Sequence, residues 1–196
     1  MSTPQFHLRR AIVADLDAVL ALERATDLAP HWPPSAYAAI LESATSHRCL
    51  FVAEKDNLFA GFAVGLFHPC APFIPRSLRN GLETVSETLG RNHVHMPTDA
   101  STPERIAELE SVVVAANARR AGIGRALCRA VLAWSRSQGA TELVLEVRAA
   151  SSAAVALYAG LGFTLTARRP RYYRDPDDDA LLMRMDLQPN RGRIDD

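Results

Sequence analysis

Apolar and polar positions along the chain follow two periods in turn, and each change of period marks an element. Residues 6–10 form a short run suited to a first strand. From Asp15, Leu16, Val19, Leu20, Leu22 and Glu23 fit a stripe with a repeat near 3.6, which predicts a helix. Asp15 and Asp17 stand in its first turn, where a negative charge favours the dipole. Prolines at 30, 33 and 34 close that helix, and Trp32 among them is a candidate pocket wall or a lid on the core. A second helix starts near Pro34 or Ser35 and carries Tyr37, Ile40 and Leu41. Residues 50–55 and 59–67, separated by Asp56 and Asn57, read as an antiparallel hairpin.

The second half is patterned more sharply. Residues 109–114 end in Val112, Val113 and Val114, a strand. Ile123, Leu127, Ala130, Val131 and Trp134 then mark one face of a helix, and Gly139 is placed to cap it. Residues 141–147 are nearly continuous in apolar character, as for a strand beside a parallel neighbour. Ser151 or Ser152 can cap a helix carrying Val155, Leu157, Tyr158 and Leu161, which Gly160 and Gly162 end. Residues 163–167 and 180–187 are the last two strands, with a loop over 168–179 between them and a polar tail over 188–196. The order is β-α-α-β-β, an insertion at about 68–108, then β-α-β-α-β-β. It predicts one α/β (α+β) domain over 1–187 with a mixed sheet, and a central parallel βαβ unit with a right-handed crossover.

Within the insertion, Ile74, Leu78, Leu82, Val85 and Leu89 share a helix face that Gly90 would end, and residues 96–103 read as an exposed loop. His68 with Cys70, and His93 with His95, are alternate pairs without a usual zinc spacing, so no metal is expected.

Totals change this picture little. The 196 residues carry 22 basic and 22 acidic side chains, so bulk electrostatic capture of nucleic acid or of an anionic membrane is not expected. The arginines around Tyr172 and Tyr173 are followed at once by Asp175, Asp177, Asp178 and Asp179, which cancel their charge. Three cysteines in no framework spacing, no membrane-length apolar run and no apolar leader point to a reduced, cytoplasmic protein.

The turn between residues 114 and 123 carries the first chemistry. Arg119, Arg120, Ala121, Gly122, Ile123, Gly124 and Arg125 form R-R-A-G-I-G-R between a strand and a helix. Such a junction gathers unpaired backbone N–H groups and the positive end of a helix dipole, a natural seat for phosphate. It is neither a Walker A loop nor a three-glycine dinucleotide fingerprint.

Four blocks give this turn its setting: V-V-V with R-R-A-G-I-G-R, then L-V-L-E-V-R-A at 143–149, A-V-A-L-Y-A-G-L-G-F at 154–163, and R-Y-Y-R-D-P-D-D-D-A-L-L-M at 171–183. Their order and spacing resemble the GNAT superfamily of acyl-CoA-dependent N-acetyltransferases, and most closely its RimI-like branch of ribosomal-protein alanine N-acetyltransferases. The resemblance is dense from Glu110 to Leu187, thinner over 8–64, and lapses over about 67–108. It implies a GNAT-like, mostly antiparallel mixed sheet flanked by helices. It implies acetyl-CoA as co-substrate, with the pyrophosphate on residues 119–125 and the pantetheine arm along Val112, Val113 and Val114. It gives Glu146, in L-E-V-R, as general base and Tyr158, in A-L-Y, as general acid. Glu110 is a rival base, since many members carry a carboxylate on that strand. Ser151 stands where the branch usually has an asparagine that bonds the pantetheine arm. Trp32, Tyr172 and Tyr173 are candidates to line the acceptor groove. Two acceptors stay open, a protein N-terminus and a small amine, beside a non-catalytic acyl-CoA-binding module.

Overall fold

The computed structural model describes residues 6–43, 47–69 and 105–188. Strands β1 (Phe6–Arg10), β2 (Arg48–Lys55), β3 (Leu58–His68), β4 (Ile106–Val114), β5 (Glu142–Arg148), β6 (Thr164–Arg174) and β7 (Asp177–Asp186) form one seven-stranded sheet in the order β1-β2-β3-β4-β5-β7-β6. Every pairing is antiparallel except β4 with β5, the parallel pair expected from the βαβ pattern. Helices α1 (Leu16–Arg24) and α2 (Pro34–Glu42) precede β2, α3 (Ile123–Ser137) joins β4 to β5, and α4 (Ser152–Ala159) joins β5 to β6.

The sheet is covered on both faces. Val19 of α1 and Tyr37 of α2 are fully buried against Val52, Phe62 and Val64. Ile123, Leu127 and Val131 of α3 pack with Ala53, Ala63 and Ala107 in a second cluster. Small residues on β3 let α3 come close: a Cβ on Gly65 would lie 2.6 Å from Val131 Cγ1 and 2.9 Å from Cys49 Sγ. Truncating a fully buried residue such as Leu127 to Ala removes about 2–5 kcal/mol. Cys49 and Cys128 are buried free thiols here, and burial pushes each up to about 12.

Two polar anchors fix the first half. Asp15 accepts from Arg9 at 2.6 and 2.8 Å and from the Ile12 N–H at 2.8 Å. The Arg9 guanidinium holds the Asp15 carboxyl below the usual carboxylate range. Glu23, the polar member of the α1 stripe, is 1% exposed and accepts from the Tyr37 hydroxyl at 2.5 Å and the Trp32 N–H at 3.1 Å. The chain between α1 and α2 is thereby tied down, and Trp32 packs on Tyr37 with ring centroids 5.4 Å apart.

Two features of the central strands matter for function. The β3–β4 register slips between Val64 and Gly65, pairing Ser111 and then Leu109, so Glu110 is the extra residue of a bulge. The β4–β5 ladder stops after three pairs, at Glu108 with Val144, although β4 runs on to Val114 and β5 to Arg148. Beyond that point the strands splay and leave an open hydrogen-bonding edge on each side of a cleft.

Several expectations need correction. β5 alternates buried and half-buried positions, where a continuous apolar strand was expected, because its other face lines the cleft. The segment 168–179, read as a loop, is mostly strand: β6 reaches Arg174 and β7 starts at Asp177, with register shifts that absorb the irregular sequence. Ion pairing between Arg168 and Asp179 at 2.6 Å replaces the apolar alternation that usually marks a strand. The helix expected over 74–89 and the loop over 96–103 lie outside the described residues, as do Cys70, His93, His95 and the tail from 189 onward.

Candidate active site

The cleft opens where β4 leaves β5. On one side of it, β4 runs through Val112 and Val114 into a tight turn, and α3 begins. Gly122 is the N-cap residue of α3, with φ 84°, a conformation costly for any residue with a Cβ. Apart from its own neighbours in the chain, no described residue lies within 4 Å of the point where its Cβ would be, so nothing described crowds the helix N-terminus there. Arg120 is also left-handed, at φ 64°. Consecutive turns of this kind aim backbone N–H groups outward, and the first turn of α3 adds its own. Arg119 Nε donates to the Val114 carbonyl at 3.2 Å. Arg125 Nη1 donates to the Gly160 carbonyl at 3.0 Å, which joins α3 to the end of α4. Arg120 and Ala121 remain exposed at the cradle, while Gly124 gives ordinary contact distances to Leu157 and Val114.

Two cavities meet in the cleft. One, of about 500 Å³, is lined by Val112, Val113, Arg148, Ser151 and Tyr158, with the loop after α1 as its rim. The other, of about 470 Å³, is lined by Trp32, Glu108, Tyr172 and residues of β5 and β7. Pro30, Leu109, Glu110, Glu146 and Tyr173 border both. Trp32 is thus a wall of the second cavity and, through Tyr37, also a lid on the core.

Glu146 projects from the half-buried face of β5 at the junction of the cavities. The Tyr173 hydroxyl hydrogen-bonds to it, and burial together with the Glu146 charge holds that phenol well above its usual range. Tyr158 is the buried residue of α4, with its ring edge-on to Phe163 at 5.9 Å. Burial holds its phenol protonated, well above the usual range. Ser151 occupies the N-cap position of α4, yet its hydroxyl makes no capping bond and the side chain borders the first cavity.

Glu110 is differently placed. Its carboxylate, 6% exposed, accepts from Arg48 Nε at 2.8 Å and Nη2 at 3.1 Å. A forked pair of this kind occupies both carboxylate oxygens and fixes their direction. Sequence reasoning missed Arg48 as the partner of Glu110, because only the β2–β3–β4 pairing brings the two together. It also missed Arg148. The Arg148 guanidinium lies 4.0 Å over the Tyr173 ring and donates to the carbonyls of Asp175 and Pro176, each at 3.1 Å. Its place after L-E-V was the available signal. Among the described residues, no group of three or more His, Cys, Asp or Glu is arranged to hold a metal ion.

A mixed sheet whose central parallel pair splits beside the N-terminus of α3 defines a class of fold, and comparison with known proteins agrees. Residues 16–163 match the model of the Acetyltransferase (GNAT) family, so the chain belongs to that family. It is 37% identical over 83 residues to [Ribosomal protein bS18]-alanine N-acetyltransferase of Escherichia coli strain K12, a match spanning 41% of this chain and 56% of that enzyme. The chain thus spans little more than half the length of that curated relative. It is 28% identical over 180 residues to an N-alpha-acetyltransferase of Sulfurisphaera tokodaii, covering 91% and 92% of the two chains. A chain in the crystal structure of the NatC complex bound to Gag peptide and CoA superposes with a TM-score of 0.69 at 18% identity, over 94% of this chain and 99% of that one, which shows a shared fold.

Proposed function

We propose that this protein transfers the acetyl group of acetyl-CoA directly to the α-amine of a protein N-terminus, with alanine of a ribosomal protein as the foremost candidate. The observation that carries this reading is the cleft itself. Glu146 borders both a cradle-side and a hairpin-side cavity where the two meet, and Tyr158 lines the cradle-side one. A ternary complex needs such a through-passage, because donor and acceptor must arrive from opposite sides.

In this reading the pyrophosphate sits on residues 119–125, and the open edge of β4 at Val112, Val113 and Val114 pairs with the pantetheine amides. Ser151 contacts the same arm with a shorter side chain than the asparagine of the RimI-like branch. The amine nitrogen attacks the thioester carbonyl. As the C–N bond forms and the C–S bond breaks, Glu146 takes the amine proton, directly or through one water. Tyr158 donates to the departing sulfur. An α-amine, with a pKa of about 8, offers far more neutral nucleophile at pH 7 than a lysine near 10.4. Trp32, Tyr172 and Tyr173 line the acceptor groove. The unit responsible is a single acetyltransferase domain over 1–187, interrupted at about 68–108.

The test mixes the purified protein with acetyl-CoA and a panel of short peptides and small amines, and follows free thiol release. Turnover on an Ala-starting peptide, lost when its α-amine is acetylated beforehand, is expected. Turnover confined to small amines sinks the protein-acceptor reading. Saturable CoA binding without thiol release on any acceptor leaves a binding module.

A further inference from the structure

We propose that Tyr173 is the positioning residue of the Glu146 carboxylate, and that Arg148 holds Tyr173 to that task. The inference deepens the reading of Glu146 as base and rests on it.

Glu146 and Arg148 are two apart on β5 and so share a face. Tyr173 reaches them from β6, at a register shift that turns the strand. Its hydroxyl donates to Glu146, and its ring lies under the Arg148 guanidinium at 4.0 Å. That guanidinium is itself fixed by the carbonyls of Asp175 and Pro176 at the hairpin turn. The Ala150 N–H adds a second tie, to Asp178 Oδ2 at 3.1 Å. The arrangement is a chain from turn to guanidinium to phenol to carboxylate, and it stands where both cavities meet.

A phenol that donates to a carboxylate favours its ionised form and fixes one of its oxygens. Burial keeps the Tyr173 phenol protonated, so it acts as a donor and never competes as a base. The remaining charged groups around the cleft differ in kind. On β4, Glu108 and Glu110 face it, with Arg48 of β2 on Glu110. Glu142 of β5 pairs with Arg184 of β7 at 3.6 Å. Asp27 rims the cradle-side cavity, and Tyr158 borders it from α4.

Tyr173→Phe keeps the ring under Arg148 and removes the donor. The acid limb of the kcat/KM profile is expected to move up by about 1 pH unit, and kcat at pH 7 to fall about five- to tenfold, with acceptor KM nearly unchanged. Arg148→Ala should produce a smaller shift in the same direction. Arg148→Lys should restore part of it, since an ammonium stacks on the ring but cannot fork to two carbonyls. A Tyr173→Phe enzyme with a raised peptide KM and a native acid limb overturns the proposal and leaves Tyr173 a substrate contact. A second measurement needs no turnover. The carboxyl-carbon NMR titration of Glu146, assigned by its loss in Glu146→Gln, should have a higher midpoint in Tyr173→Phe. An unchanged midpoint overturns the positioning role. Full activity of Glu146→Gln overturns Glu146 as base, and the NMR titration still decides whether Tyr173 positions it.

Discussion

The two sides of the cleft are built in different ways. The cradle side is one continuous stretch, β4, turn and α3, and its geometry is held by backbone: a left-handed glycine, a helix N-terminus and an open strand edge. The hairpin side is assembled from four separate stretches, the loop after α1, the first part of β4, β5 and the β6–β7 hairpin. Side-chain contacts lock it, chiefly Glu23 under the loop and Arg148 and Asp179 on the hairpin. A backbone-built half is insensitive to most single substitutions and suits a ligand that never changes. A half built from side chains can be altered one residue at a time, and so is where the proposed function puts acceptor preference.

Substitutions can break or sharpen this contrast. The largest effect is expected at the junction: Glu146→Gln should lower kcat by about 10²-fold or more while CoA affinity stays native. If its rate is unaffected, the base moves to Glu110 despite its Arg48 partner. Tyr158→Phe should lower kcat at least about tenfold, again with little change in either KM. Arg120→Ala probes the cradle alone. One exposed charge contact is worth about 1 kcal/mol or less, so KM for acetyl-CoA should rise up to about fivefold with kcat unchanged, an effect that added salt erases. An equal rise in acceptor KM would break the division into two sides.

The smallest effect is expected at Asp179 on the hairpin. The Arg171 N–H and the Arg168 guanidinium hold its carboxyl below the usual range. A depressed folded-state pKa contributes stability above the unfolded-state value, near 3.9, and loses it as pH falls through the lower folded value. Asp179→Asn should therefore lower the melting temperature slightly at pH 7 and not at all at strongly acidic pH. Because the site is exposed, its larger readout should be acceptor KM, not melting.

The same division explains what could be read from the sequence. The cradle was legible because its residues are consecutive: V-V-V, then R-R-A-G-I-G-R, then an amphipathic helix, each with a local backbone cause. Glu146 and Tyr158, both on regular elements that line the cleft, stood out through their blocks, while a helix of eight residues carries too little periodicity to fix which face is buried. The hairpin was misread as loop because its strands pair through arginine and aspartate rather than apolar alternation. The Arg48–Glu110 pair spans 62 residues and depends on a bulge, and no local pattern announces either.

The buried thiols have a further consequence. A thioester is open to exchange with any nearby thiolate, which would move the acyl group onto the protein itself. Thiolates, not thiols, attack. Burial pushes Cys49 and Cys128 up to about 12, so both stay thiols at neutral pH. In the proposed reading, the packing that seats α3 on the sheet thereby also keeps these two thiols from taking the acyl group.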